Sequence, residues 1–197
     1  MNVKGNRIIA AAALICFFSC KKDNNNLALH ELAGTWSFYG IHARTSSSAT
    51  DVEGGIQYTT ITTSEYITTA NAGTIRISGN TMTGTGITYA ANMNIIVTDY
   101  EGTILTDSFS TSMPVNVPPT NSTSTFEVIG TDSIHYTSSG LPGSGGSGTP
   151  ATGSKFSIEG DIMSLTSYVV QDKVFDTLGV AITQHEEAFV VTTLKKQ

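Results

Sequence analysis

Apolar and polar residues alternate with a period of two along most of this chain beyond residue 33. In Trp36-Ser37-Phe38-Tyr39-Gly40-Ile41, Trp36, Phe38 and Gly40 share one parity and Ser37, Tyr39 and Ile41 the other, so a strand here carries the indole to one face near its start. Gly34 lets the chain turn sharply just before this strand, which runs to about Ala43. Thr45 to Thr50 reads as a Ser/Thr loop, and Gly54-Gly55 as turn residues in front of a strand over Ile56 to Thr63. A short run from Tyr66 to Thr69 follows. Gly79-Asn80, between Thr74–Ser78 and Thr81–Tyr89, signals a hairpin, because both residues tolerate positive φ. Asp99-Tyr100-Glu101-Gly102 and Gly160-Asp161 mark two more. Pro114, Pro118 and Pro119 are expected to break the ladder, since proline offers no N–H to a neighbouring strand. Strands follow at Thr125–Ile129 and Ser133–Thr137, then a flexible Gly/Ser/Pro loop over 140–150, and last strands through Val174-Phe175 and Ala188–Leu194. Leu27 to Leu32 is a short apolar-spaced turn whose Leu29 and Leu32 are placed to plug one end of the fold. No amphipathic helix of useful length is expected.

The start of the chain has a different pattern. Lys4 and Arg7 precede an almost unbroken apolar run from Ile8 to Phe18. A bilayer-spanning helix needs roughly 20 apolar residues, so this shorter run reads as a secretory signal. It ends in Phe17-Phe18-Ser19-Cys20, and a small residue directly before Cys resembles the lipobox of bacterial lipoproteins, although Phe17 stands where that motif usually has Leu. The resemblance implies cleavage after Ser19 and a diacylglyceryl thioether plus an N-acyl chain, such as palmitate, on Cys20. At ~0.8 kcal/mol per buried methylene one acyl chain binds marginally, whereas several anchor stably. Lys21-Lys22-Asp23-Asn24-Asn25-Asn26 then reads as a polar tether. The expected organisation is a signal peptide over 1–19, a lipidated tether over 20–28 and one β domain over 29–197. Cys16 lies in the removed segment, so the expected mature domain has no disulfide and depends on its β core alone.

Composition agrees with an all-β chain. Of 197 residues 30 are Thr and 21 Ser, while charged residues make up 13%. β-Branched Thr favours a pleated, half-buried surface, and the long helix formers Lys, Arg and Glu are scarce. The net charge is −6, and residues 1–19 carry two of the bases and no acid, so the expected mature chain stands at −8. Without a basic stripe to displace counterions, nucleic acid is not an expected partner.

Gly34-Thr35-Trp36 at the start of the first strand resembles the Gly-x-Trp of lipocalin-like domains of bacterial lipoproteins, and Ile77–Met82 and Ile158–Met163 share a looser Ile-x-Gly-(Asn/Asp)-x-Met rhythm. The resemblance implies an antiparallel meander closed into a lipocalin-like barrel of about eight to ten strands, with a β-sandwich as the alternative. It also implies that Trp36 sits at the closed end, as the floor of a ligand cavity. Lipocalins usually set an Arg late in the chain against this Trp; here the last strand ends in Lys195 and Lys196.

Candidate chemistry is sparse. His185-Glu186-Glu187-Ala188-Phe189 begins like the zinc motif H-E-x-x-H, but Phe189 stands where the second His is needed, so no metal is expected. His30, His42 and His135 are dispersed. Gly143 to Gly148 matches G-x-G-x-x-G without the helix that a dinucleotide site requires, and no cofactor is expected. Neither a G-x-S-x-G elbow nor a mature-chain Cys offers a nucleophile. Asp51-Val52-Glu53-Gly54 and Asp99-Tyr100-Glu101-Gly102 read as turn chemistry, with too few oxygen ligands for calcium. Asp132-Ser133-Ile134 and Asp176-Thr177-Leu178 resemble O-glycosylation sites of exported bacterial proteins, with Ser133 and Thr177 as acceptors. Asn121-Ser122-Thr123 is a sequon in form only.

The expectation is therefore a non-catalytic cell-envelope lipoprotein, held at the outer membrane by its lipid, whose barrel binds a small, partly apolar ligand. The alternative is a structural or protein-interaction module of the envelope, docking through loops at Ser110–Ser124 and Gly140–Ser154. Against the first reading, small barrels are often filled by their own side chains, and Phe38, Tyr58, Tyr89, Phe109, Phe126 and Phe156 are then simply core.

Overall fold

The computed structural model describes residues 24–138, 140–141, 153–177 and 179–197. A short helix, α1 (Asn24–Leu32), leads into eight antiparallel strands: β1 (Gly34–Glu53), β2 (Ile56–Ser78), β3 (Thr81–Glu101), β4 (Ile104–Ile129), β5 (Ser133–Tyr136), β6 (Gly153–Glu159), β7 (Ile162–Thr177) and β8 (Val180–Lys196). Each pairs with its sequence neighbours, and β8 returns to β1, so the meander closes into a barrel. This is the expected architecture, with eight strands that are longer than their sequence signals suggested.

The differences have local causes. Thr45 to Thr50 is strand: every residue is paired to both β2 and β8, so β-branched and small side chains with neighbours on two sides need no apolar alternation to extend. Tyr66 to Thr69 belongs to the continuous β2. Pro114, Pro118 and Pro119 lie within β4 without ending it: Pro114 stands where its nitrogen turns to the side that meets no other strand among the described residues, and Pro118 and Pro119 fall in the register shift between Val117 and Thr120. The expected Ser110–Ser124 loop is therefore wall, and most of 140–154 lies outside the described residues.

Strand lengths divide the barrel into two parts. At the base, where hairpins 78–81, 129–133 and 159–162 lie and the chain passes from α1 into β1, all eight strands complete the ring. Its interior is filled by Trp36, Phe38, Ile75, Ile77, Met82, Ile87, Tyr89, Phe126, Phe156, Met163, Leu165 and Leu194, all buried. Ala28 and Leu32 of α1 are buried against them, with Leu29 packed alongside, so the expected plug is a helix that crosses residue 28 into the expected tether. The spacing of Ala28, Leu29 and Leu32 places all three on one helical face.

Above the base, β5 and β6 have ended while the other six strands continue. The wall is thus open between β4 and β7 among the described residues. Hairpins 53–56, 101–104 and 177–180 form the upper rim.

Candidate functional site

The inner face of this open part can be followed residue by residue from the core. Along β1 the side chains that continue inward beyond buried Ile41 and Ala43 are Thr45, Ser47, Ala49 and Asp51. Their partners on β2 are Ser64, Thr62, Thr60 and Tyr58, and on β8 Ala188, Glu186 and Gln184 stand opposite Thr45, Ser47 and Ala49. Beyond buried Tyr89 and Ala91, β3 turns in Met93, Ile95, Val97 and Asp99, and β4 sets Met113, Thr111, Phe109 and Asp107 across from them.

Two chemistries share this face. On β3 and β4, Met93, Ile95 and Val97 are half-buried, whereas Phe109 and Met113 remain 53% and 47% exposed because the wall stops at β4. Phe109 and Tyr58, the latter 38% exposed, are thus not core, unlike Phe38, Tyr89, Phe126 and Phe156. Across β7, β8, β1 and β2 runs a hydrogen-bonded polar row. Thr45 Oγ1 and Ser64 Oγ lie 2.7 Å apart, and Gln184 Nε2 donates to Ser47 Oγ at 3.3 Å and to Glu186 Oε1 at 2.7 Å. Lys173 Nζ is 3.4 Å from Glu186 Oε2, and Thr60 Oγ1 donates to Asp99 Oδ1 at 2.6 Å. At the rim, Asp51 Oδ1 is enclosed without any hydrogen-bond partner. A buried acceptor left unpaired is costly, so the rim here holds an unmet demand for a hydrogen-bond donor.

Trp36 lies in the sealed base. Its side chain is fully enclosed, its Nε1 donates to Leu32 O at 2.9 Å, and Lys196 Nζ sits 5.4 Å from the ring centre. The late basic residue over the indole is therefore Lys196, paired directly with Trp36 across β1 and β8. Phe38 and Tyr89, with ring centroids 6.0 Å apart, stand farther up the barrel, so the floor of the open part is made by Ala43, Tyr66, Tyr89 and Val190 rather than by the indole.

One buried polar cluster joins β5, β6 and β7 and is structural. Tyr136 Oη and Ser154 Oγ are 3.0 Å apart, and Ser154 Oγ is 2.6 Å from Ser167 Oγ. Burial pushes the Tyr136 phenol up to about 12, against the opposing pull of the Ser154 hydrogen bond.

Below the open part the ladder between β1 and β2 splits. Register shifts fall between Ser37 and His42 on β1 and between Thr69 and Thr74 on β2. Ala70 takes φ 50° there, and Thr68 Oγ1 accepts from Ile41 N at 2.8 Å, replacing a ladder bond. A groove of about 500 Å³ lies at the split, lined by Phe38, Tyr39, His42, Ile67 and Asn71 among others.

The remaining candidates are scattered. Cys20 and the Gly143–Gly148 segment lie outside the described residues. Ser133 is half-buried at the base with Oγ donating to Asp132 Oδ1 at 3.0 Å, whereas Thr177 is exposed at the rim, beside Asp176 Oδ1 accepting from Gly179 N at 2.9 Å. His185 is on the outer face, its Nδ1 2.6 Å from Asp172 Oδ1 and its Nε2 3.1 Å from Glu187 Oε1. The hydrogen bond to Asp172 first, then that to Glu187, holds the imidazole above its ordinary value. His42 Nε2 is 2.7 Å from Glu65 Oε1, to which Arg44 Nε also donates at 2.8 Å, and these bonds hold the Glu65 carboxyl low. Asn121 Oδ1 accepts from Gly86 N at 2.8 Å. Among the described residues no group of three His, Cys, Asp or Glu side chains is placed to hold a metal. The chain matches no family model, no curated protein and no solved structure.

The barrel's geometry gives importance to residues that alternation alone does not single out. Met93, Ile95 and Val97 fall in an expected strand, but the early ending of β5 and β6 among the described residues leaves them half-buried on an open inner face rather than in core. Asp51 looks like a turn residue, and its orphaned oxygen emerges only from the packing.

Proposed function

We propose that this chain is a cell-envelope lipoprotein, anchored through lipid on Cys20 at the outer membrane, whose β-barrel binds a small, partly apolar ligand without catalysis. The ligand lies along the inner face above the sealed base, its apolar body against Met93, Ile95, Val97, Phe109 and Met113. A hydrogen-bond-donating head faces the polar row and Asp51. The observation that supports the reading is the apolar row on β3 and β4, half-buried at Met93, Ile95 and Val97 and exposed at Phe109 and Met113, which a folded β domain without a partner for it would leave partly in water at about 25 cal/mol per Å².

The test is to incubate the purified chain with an envelope lipid extract, re-isolate it, denature it and identify what is released by mass spectrometry. One compound class recovered repeatedly at near-stoichiometric amounts is expected. Repeated recovery of an empty chain would overturn the proposal.

A further inference from the structure

Opening the wall leaves two long strand edges, and they are built differently. Among the described residues no strand is paired to the outer edge of β4 from Ile104 to Val117, nor to that of β7 from Asp172 to Thr177. Edges of this length are templates for further pairing, and proteins guard them with charges or prolines. The β7 edge carries Asp172, Lys173 and Asp176. The β4 edge has its prolines at 114, 118 and 119 only, so Ile104 to Met113 holds one charge, Asp107, beside exposed Ile104, Leu105, Phe109 and Met113.

The direction of each backbone group on this edge follows from two observations. Pro114 stands opposite Asn92 inside the β3–β4 ladder although it has no N–H to give, and the Ser108 N–H donates to Asp107 Oδ1 at 2.8 Å rather than to β3. Positions in phase with these two, Ser110 and Ser112, therefore turn their N–H and C=O groups outward. Along the edge the donors read: occupied at Ser108, available at Ser110, available at Ser112, absent at Pro114. In whether each position can donate, this order is the same from either end, with Thr111 at its centre.

We infer that a second copy of this chain pairs with the Ser108–Pro114 edge of β4, antiparallel about a two-fold axis through Thr111. In that register Ser110 of each copy exchanges hydrogen bonds with Ser112 of the other, and the positions that cannot donate, Ser108 and Pro114, face each other. The inner-face neighbours become Phe109 against Met113 of the other copy, an aromatic–thioether contact, and Asp107 faces Val115 rather than a like charge. Such an interface is isologous and closes as a dimer, whereas pairing β4 to the charged β7 edge would be head-to-tail and open-ended. The inference does not depend on the ligand reading, since it uses the edge's backbone groups.

Thr111 opposite its symmetry mate is a non-hydrogen-bonded pair, with Cα atoms ~4.5 Å apart, within disulfide range. The test is Thr111→Cys in the full chain, oxidised in membranes of producing cells and run without reductant, against the parent chain as background for Cys16 and Cys20. A band at twice the chain mass is expected, with none from Asp172→Cys on the β7 edge. Adding Ser110→Pro, in phase with Pro114 and so harmless to the β3 ladder, should cut that band at least tenfold while the circular dichroism spectrum stays unchanged. Adding Ser112→Pro should do the same. A T111C chain that stays monomeric, that crosslinks equally to other proteins, or whose dimer band survives both prolines would overturn the inference.

Discussion

The indole N–H of Trp36 donates to the backbone carbonyl of Leu32 at 2.9 Å, joining the first strand to the last turn of the helix that seals the barrel. The final carbonyls of a helix have no partner within it, and here a buried one is satisfied by the same side chain that fills the base. Trp36→Phe removes the donor and leaves a void together with an unpaired buried carbonyl. We expect a loss of about 2 to 4 kcal/mol in urea unfolding. Lys196→Met removes only an exposed cation over the ring and should cost less than ~1 kcal/mol.

Gly73 and Gly86 are a matched pair for backbone strain. Both have positive φ, at 104° and 62°, but a Cβ on Gly73 would lie 2.6 Å from Gly86 O, whereas one on Gly86 meets nothing within 4 Å. Gly86→Ala should lower stability by about 1 to 2 kcal/mol for the left-handed conformation alone. Gly73→Ala must also push β2 and β3 apart, so its denaturation midpoint should fall clearly further.

The outer-face cluster of Asp172, His185 and Glu187 makes stability depend on pH. The folded imidazole is held above its ordinary 6.5 by the two carboxylates, so its protonated form is favoured in the folded chain. Its contribution is complete below about pH 6.5, the unfolded value, and is lost as pH rises through the folded value. The melting temperature of wild type minus that of His185→Gln should therefore be positive in mildly acidic buffer and shrink toward alkaline pH. Glu65 acts in the opposite sense. Its carboxyl is held below 4.5, so its contribution is present above that value and fades as pH falls through the folded one. Wild type minus Glu65→Gln should accordingly shrink on acidification.

Neighbouring residues on β3 separate the proposed ligand face from the outer surface. Val97→Asp places a charge beside Ile95 and Phe109 and should reduce retained ligand at least tenfold, about 1.4 kcal/mol. Ile96→Asp, on a side chain 48% exposed on the other face, should leave retention unchanged. Ligand released per chain after lipid incubation reads both.

The base of the barrel was legible because large apolar residues alternate there with polar ones. Trp36 and Phe38, Ile75 and Ile77, and Met163 and Leu165 each announce an inward face, and Gly79-Asn80 and Gly160-Asp161 announce the turns between. The upper wall was not, since Thr45 to Thr50 has the β-branched and small residues of a strand without an apolar parity. The prolines of β4 pointed to a break for a reason that holds only in an unshifted ladder paired on both sides. The split beside Ala70 depends on how two bulged strands meet, and the orphaned Asp51 oxygen on what happens to pack around it. The pairing of Lys196 with Trp36 required the register of the last strand on the first, which no local pattern encodes.

Ile95 and Ile96 point to opposite faces of β3, which allows the central claim to be tested in one measurement. A photoreactive benzoylphenylalanine placed at either position in the full chain is irradiated in the presence of envelope lipid, and the intact mass is recorded. Binding along the inner face predicts a discrete small-molecule adduct at position 95 and none at 96. Equal labelling at the two positions, or none at 95, would contradict it.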